Sequence, residues 1–94
     1  MTYSIATRYA NMFEVMADPY ALMILDFLFE THEEKTVEEL VKETKTTESK
    51  VRYICEKLVD LNVLDKDYRD GKEYYEALDT QYGNFLEYVI ERID

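Results

Sequence analysis

The tightest constraint in this chain is a pair of amphipathic segments with almost nothing between them. Thr36-Val37-Glu38-Glu39 fits a capping box, in which the Thr side chain serves the amide of Glu39 and Glu39 reaches back. It opens a short helix with Val37, Leu40 and Val41 inward, ending near Thr44. A turn of only Lys45 and Thr46 leads to Thr47, the expected cap of a second helix, TESKVRYICEKL. There Val51, Ile54, Cys55 and Leu58 recur at the i, i+3, i+4, i+7 spacing of a helix that buries one stripe. The same winding puts Ser49, Arg52, Tyr53 and Glu56 on the outer face, with Lys50 and Lys57 on its flanks. Two helices joined so tightly, the second with a polar outer face, make a helix-turn-helix arrangement.

The flanking segments supply the rest of a fold. Residues 4 to 17 carry Ile5, Tyr9, Met12, Phe13 and Met16 at helical spacing, an aromatic and methionine-rich stripe suited to packing. Asp18-Pro19 then ends one helix and starts the next, because Asp caps an N-terminus and Pro suits the first helical position. The second helix, Tyr20 to about Thr31, is apolar on most sides and is expected at the centre of the core.

After Leu58, Asn62 can take the left-handed conformation that ends a helix. Two β-prone runs follow, Val63 to Arg69 and Lys72 to Leu78, flanking Asp70-Gly71, a strong signal for a hairpin with a two-residue primed turn. In that register Arg69 faces Lys72 across the tip, and two readings stand: a bound phosphate relieves the repulsion, or Asp67 and Asp70 do. Thr80 to Asp94 places Tyr82, Phe85, Leu86, Val89, Ile90 and Ile93 on one helical stripe that needs a partner surface, with Gly83 weakening its first turn.

Ninety-four residues make one domain, 1–94, with room for a single modest core. The chain has no apolar run of membrane-spanning length and no signal-peptide pattern at its start, so a cytoplasmic protein that avoids membranes is expected. The formal net charge of −10 opposes nucleic-acid binding. Its distribution tempers that, since seven of the eleven basic residues lie between positions 45 and 79. One buried cysteine and one histidine, His32, cannot assemble a metal site, and the chain holds no Gly-rich phosphate loop, Ser-His-Asp set or Cys-His pair. No enzyme, no cofactor and no metal are expected.

The order of four helices, a hairpin and a last helix resembles a winged helix-turn-helix domain of the arsenic-repressor (ArsR) type over residues 10 to 94. The pieces that carry the resemblance are Ala17-Asp18-Pro19 with Leu22, Ile24 and Leu25, then Thr47 to Leu58, then Gly71 to Tyr75 as wing tip and return strand. It implies a mainly α fold with a β-hairpin wing, in the order α-α-α-α-β-β-α. It also implies a homodimer built by the first and last helices, 4–17 and 80–93, with Ile5, Tyr9, Met12, Phe13, Tyr82, Phe85, Leu86, Val89, Ile90 and Ile93 at the interface. The chain departs from the family in that Glu39-Leu40 is followed by Val41, Lys42 and Glu43, without the thiolates of metal-sensing members. Residues 80 to 94 lack histidine, and Ala21 and Tyr53 stand where family members commonly carry Arg.

The expectation is therefore a homodimeric, repressor-like regulator with segment 47–60 in the major groove of double-stranded DNA and the wing, 63–78, on flanking phosphates. Arg52 can bond guanine bidentately, Lys50 can meet guanine or phosphate, and Ser49 can meet phosphate or a base edge. Tyr53, Lys57, Lys66, Arg69 and Lys72 complete the candidate contacts. The bland alternative is solvated charge, with Arg52 paired to Glu56 four residues on. The functional alternative is an acidic winged-helix module that binds another protein, within the transcription machinery or as antagonist of a DNA binder, as the net charge would favour.

Overall fold

Asp18, Thr36 and Thr47 set the helical boundaries, each accepting a backbone N–H at a helix start. The structure, a computed structural model, describes residues 1–93; Asp94, the end of the expected 80–94 segment, lies outside the described residues. Helix α1 spans Tyr3–Met16. Asp18 accepts from Tyr20 N at 2.9 Å and Pro19 opens α2, Pro19–Thr31, which ends at His32 in the left-handed region. The capping box forms as expected, with Glu39 N donating to Thr36 Oγ1 at 3.1 Å and Thr36 N donating to Glu39 Oε1 at 3.0 Å. It opens α3, Val37–Thr44, which ends at Lys45 with φ 61°. Thr47 accepts from Lys50 N at 3.2 Å and starts α4, Glu48–Asp60.

Asn62, at φ 60°, turns the chain out of α4 into strand β2, Leu64–Arg69, paired with β3, Lys72–Ala77. Arg69 faces Lys72, and Asp70 and Gly71 both have positive φ, 54° and 76°, as the two-residue primed turn requires. A two-residue strand β1, Lys35–Thr36, adds to the outer edge of β3, giving a three-stranded antiparallel sheet in the order β1-β3-β2. The observed element order is thus α-α-β-α-α-β-β-α, which corrects the expected order by one strand. Two residues are too few to show a period of two, so a strand this short leaves no pattern to read.

Helix α5 spans Gln81–Ile93. The core runs from Met12 through Ala21, Ile24, Leu25 and Leu28 of α2 to Leu40, the α4 stripe, Val63, Leu64, Tyr75, Leu86 and Ile90. All four residues of the α4 stripe, Val51, Ile54, Cys55 and Leu58, are at most 2% exposed.

Gly83 sits in the first turn of α5, where a Cβ would meet the Leu78 carbonyl oxygen at 2.6 Å. The Thr80 hydroxyl accepts from Gly83 N at 3.1 Å and donates to the Asn62 carbonyl at 2.7 Å, which fixes that approach. The glycine that weakens the helix in sequence terms is the residue that lets α5 close onto the loop after the sheet. Gly83→Ala removes a helix penalty of about 1 kcal/mol but adds overpacking of about 1–3 kcal/mol against rigid backbone. A lower melting temperature is expected, and one equal to or above that of the parent would show that the loop yields.

Candidate nucleic-acid interface

The outward face of α4 follows from its inner stripe. With Val51, Ile54, Cys55 and Leu58 pinned in the core, Ser49, Arg52, Tyr53 and Lys57 are exposed, Lys50 and Glu56 are half-buried, and the β2–β3 hairpin stands beside them. Tyr53 is 62% exposed, and the Lys57 ammonium lies 5.5 Å from its ring centroid. Every basic residue expected here occupies this face or the hairpin, but several are already engaged.

Lys50 forms an ion pair with Asp18, the cap of α2. Arg52 pairs with Glu48 at 2.6 Å and, through Nε, with Glu73 of β3 at 3.0 Å. The expected i+4 partner of Arg52, Glu56, instead accepts from Lys66 of β2 at 2.6 Å and from the Tyr75 hydroxyl at 2.8 Å. This corrects the bland reading in partner only: Arg52 does pair along its own helix, one turn back rather than one turn on, because Lys66 and Tyr75 claim Glu56 from the sheet side. Glu73 gathers Arg52, Lys66 at 3.7 Å and the Tyr75 hydroxyl at 3.1 Å. At the hairpin end, Arg69 pairs with Glu34, in the loop after α2, and with Asp67 at 3.1 Å, while its guanidinium lies 4.2 Å from the Tyr74 ring centroid. At the Arg69–Lys72 tip, Asp67 takes Arg69 as one of the two readings expected, and Glu34 is a second, unforeseen partner.

The titration behaviour records the same network. The Lys66 and Tyr75 hydrogen bonds hold Glu56 below the ordinary carboxylate range. Burial pushes Glu73 upward, but bonds from Arg52 and Tyr75 and the charges of Arg52 and Lys66 outweigh it and leave it lowered. Asp18 is lowered by Lys50 first and by the Tyr20 amide next. Tyr75 is raised by burial of its ring and by its bond to Glu56. Burial pushes the Cys55 thiol up to about 12, so at neutral pH it is a protonated thiol within the core.

Sequence reasoning missed Asp18, Glu34 and Glu73 as members of this face. Glu34 and Glu73 lie 35 and 21 residues from their arginine partners, so no local spacing reveals them.

A second surface lies on α1 and α5. Tyr9 packs edge-on against Tyr82 and Phe85 at centroid distances of 5.2 and 5.5 Å, and Phe13 against Phe85 at 6.3 Å. Tyr9, Phe13 and Phe85 border an apolar groove of about 620 Å³ that also takes in Ile5, Ala6 and Ala10. Ile5, Phe13, Phe85 and Ile93 are exposed, Tyr9, Tyr82 and Val89 half-buried. Met12, Leu86 and Ile90, expected at an interface, are at most 5% exposed and belong to the chain's own core. A helical stripe on a small domain has two edges, and the sequence does not say which edge faces inward.

Five helices, a tight turn before α4 and a hairpin beside it define a winged helix-turn-helix domain of the kind found in ArsR-type transcriptional regulators. The chain belongs to the O-methyltransferase dimerisation domain family, whose model matches residues 7–83. Comparison with curated proteins finds no match. Among solved structures, NolR from Sinorhizobium fredii is similar at 23% identity and TM-score 0.78, covering 97% of this chain and 88% of that one. The transcriptional repressor PagR of Bacillus anthracis is similar at 22% identity and TM-score 0.75, covering 99% and 100%. So is a homodimeric winged helix-turn-helix DNA-binding domain from Mycobacterium bovis, of a possible ArsR-family regulator, at 17% identity and TM-score 0.78, covering 96% and 81%. PagR is named a transcriptional repressor and the Mycobacterium bovis domain a possible regulator, while the family model takes its name from methyltransferases. Among the described residues, no helix is long and apolar enough to cross a membrane.

Because Asp18, Glu56 and Glu73 titrate below their ordinary values of 3.8 and 4.5, their ion pairs stabilise the fold above that range. That contribution is lost as pH falls through the lowered values. Melting temperature is expected to drop as pH goes from about 5 to about 3, and Glu73→Gln is expected to show a shallower drop. Equal slopes in parent and variant would remove Glu73 from the account.

Proposed function

We propose that the chain is a DNA-binding transcriptional regulator acting as a homodimer, with the outer face of α4 in the major groove and the hairpin on flanking phosphates. The observation that carries this reading is the disposition of Ser49, Lys50, Arg52, Tyr53 and Lys57 on one exposed helix face, bordered by Lys66, Arg69 and Lys72 of the hairpin. A protruding helix fits the major groove, and cations beside it fit the phosphates. Arg52 is assigned to guanine on a specific site and to phosphate on any other sequence, and Lys50 to phosphate or guanine. On a palindromic duplex, Arg52→Ala is expected to weaken binding by roughly tenfold or more and Lys72→Ala by less, with binding falling steeply as salt rises. Salt-insensitive binding, or none to any DNA including random genomic fragments, would refute this reading.

The homodimer is assigned to the exposed aromatic and aliphatic residues of α1 and α5. An apolar groove bordered by Ile5, Phe13 and Phe85 exposes surface that a second copy would cover, and membership in a dimerisation-domain family agrees with it. Phe85→Glu is expected to shift the protein to monomer in sedimentation and to weaken palindrome binding. A dimer intact in both Phe85→Glu and Ile5→Glu would place the interface elsewhere.

A second reading has its own observation. Lys50, Arg52, Lys66 and Arg69 of the α4 face and hairpin are each held by at least one carboxylate, which suits a protein partner better than a polyanion. A stoichiometric protein complex unaffected by Lys50→Ala and Arg52→Ala would favour it.

A further inference from the structure

We propose that Asp18, Glu34 and Glu48 act as displaceable stand-ins for phosphate, closing the candidate DNA face until a phosphodiester takes their place. The inference rests on the DNA reading above and names a regulation of that same surface.

The carboxylates on this face fall into two sets. Glu56 and Glu73 form an inner set, fixed by the Tyr75 hydroxyl, whose ring is fully buried, and shared among Arg52 and Lys66. These hold α4 and the hairpin in register and do not leave. Asp18, Glu34 and Glu48 form an outer set. None of them accepts from the Tyr75 hydroxyl, their side chains are 25%, 37% and 54% exposed, and each holds one cation of the face: Lys50, Arg69 and Arg52 in turn. Two of these pairs run between elements, from α4 to the α1–α2 junction and from the hairpin tip to the loop after α2. A carboxylate on an ammonium or guanidinium occupies the place of a phosphate oxygen. Because the outer pairs are wet, exchange of one anion for another is open to each.

Exchange leaves a mark on the salt dependence. A cation bare before binding releases counterions when it meets phosphate, with a slope of about −0.9 per contact. A cation taken from an internal carboxylate leaves behind an anion that recruits salt cations, so the net release shrinks. Removing the internal carboxylate restores it.

The test uses the full chain and a labelled duplex of random sequence, titrated at several KCl concentrations. Asp18→Asn, which retains the cap of α2, Glu34→Gln and Glu48→Gln are compared with Glu91→Gln, the same charge change on exposed α5. Asp18→Asn is expected to bind several-fold tighter than the parent at low salt, with a slope steeper by up to about 0.9, and Glu34→Gln and Glu48→Gln to change in the same direction by less, because Asp67 and Glu73 still hold their arginines. Glu91→Gln is expected to stay within about twofold of the parent, as an exposed charge on α5 that holds none of the cations of the face should. Gains equal in Glu91→Gln would reduce the effect to net charge and overturn the inference. So would outer-set variants that bind like the parent. No binding by parent and all variants at the lowest salt would instead bring down the DNA reading itself.

Discussion

The relation between α4 and the hairpin rests on one side chain, Tyr75. Its ring is fully buried, in the core that also holds the α4 stripe, while its hydroxyl shares one proton between Glu56 of α4 and Glu73 of β3. A phenol serves this place because the apolar body fills core volume and the polar tip satisfies carboxylates at the rim. Once Tyr75 is set, β3 is set, and with it β2 through the hairpin register and β1 through the Lys35–Tyr75 pairing. The hairpin therefore stands beside α4 as part of the same packed unit rather than as a mobile appendage.

That unit explains how a chain with a net charge of −10 can carry a basic face at all. Isolated cations on so acidic a domain would sit in its general negative field, and what the structure shows is a local lattice in which carboxylates and cations alternate. Lattices of this kind on a surface contribute little stability pair by pair. Their larger effect is to fix side-chain positions: Arg52 is held from both sides, by its own helix and by β3. Preorganisation of a planar guanidinium lowers the entropy lost when it meets a planar partner.

Much of the fold was legible because it depends on neighbours in sequence. The capping box at Thr36, the Asp18-Pro19 junction, the Asp70-Gly71 turn and the α4 stripe are all local devices, and each formed where its residues placed it. What the sequence withheld depends on contacts between distant segments. Glu34 and Glu73 reached their arginines only after the sheet closed, β1 existed only because β3 offered it an edge, and Gly83 took its meaning from a carbonyl at Leu78. The stripes of α1 and α5 were visible, but periodicity marks only that a helix has an apolar side. Met12, Leu86 and Ile90 went to the core while Ile5, Phe13 and Phe85 stayed exposed, a division set by the angle at which each helix meets the rest.

The α1–α2 junction joins the two surfaces. Phe13 borders the exposed groove, Met12 beside it is buried in the core, and five residues on Asp18 caps α2 and holds Lys50 of α4. A partner seated on the groove would press on α1, and a rigid helix carries displacement to its end with little loss. At that end lies a half-buried ion pair whose carboxylate is also a cap, so its position is tied to the start of α2. The Asp18–Lys50 contact therefore joins the α1–α2 junction to α4 through charge, beside the packed core that joins the same elements through apolar contact.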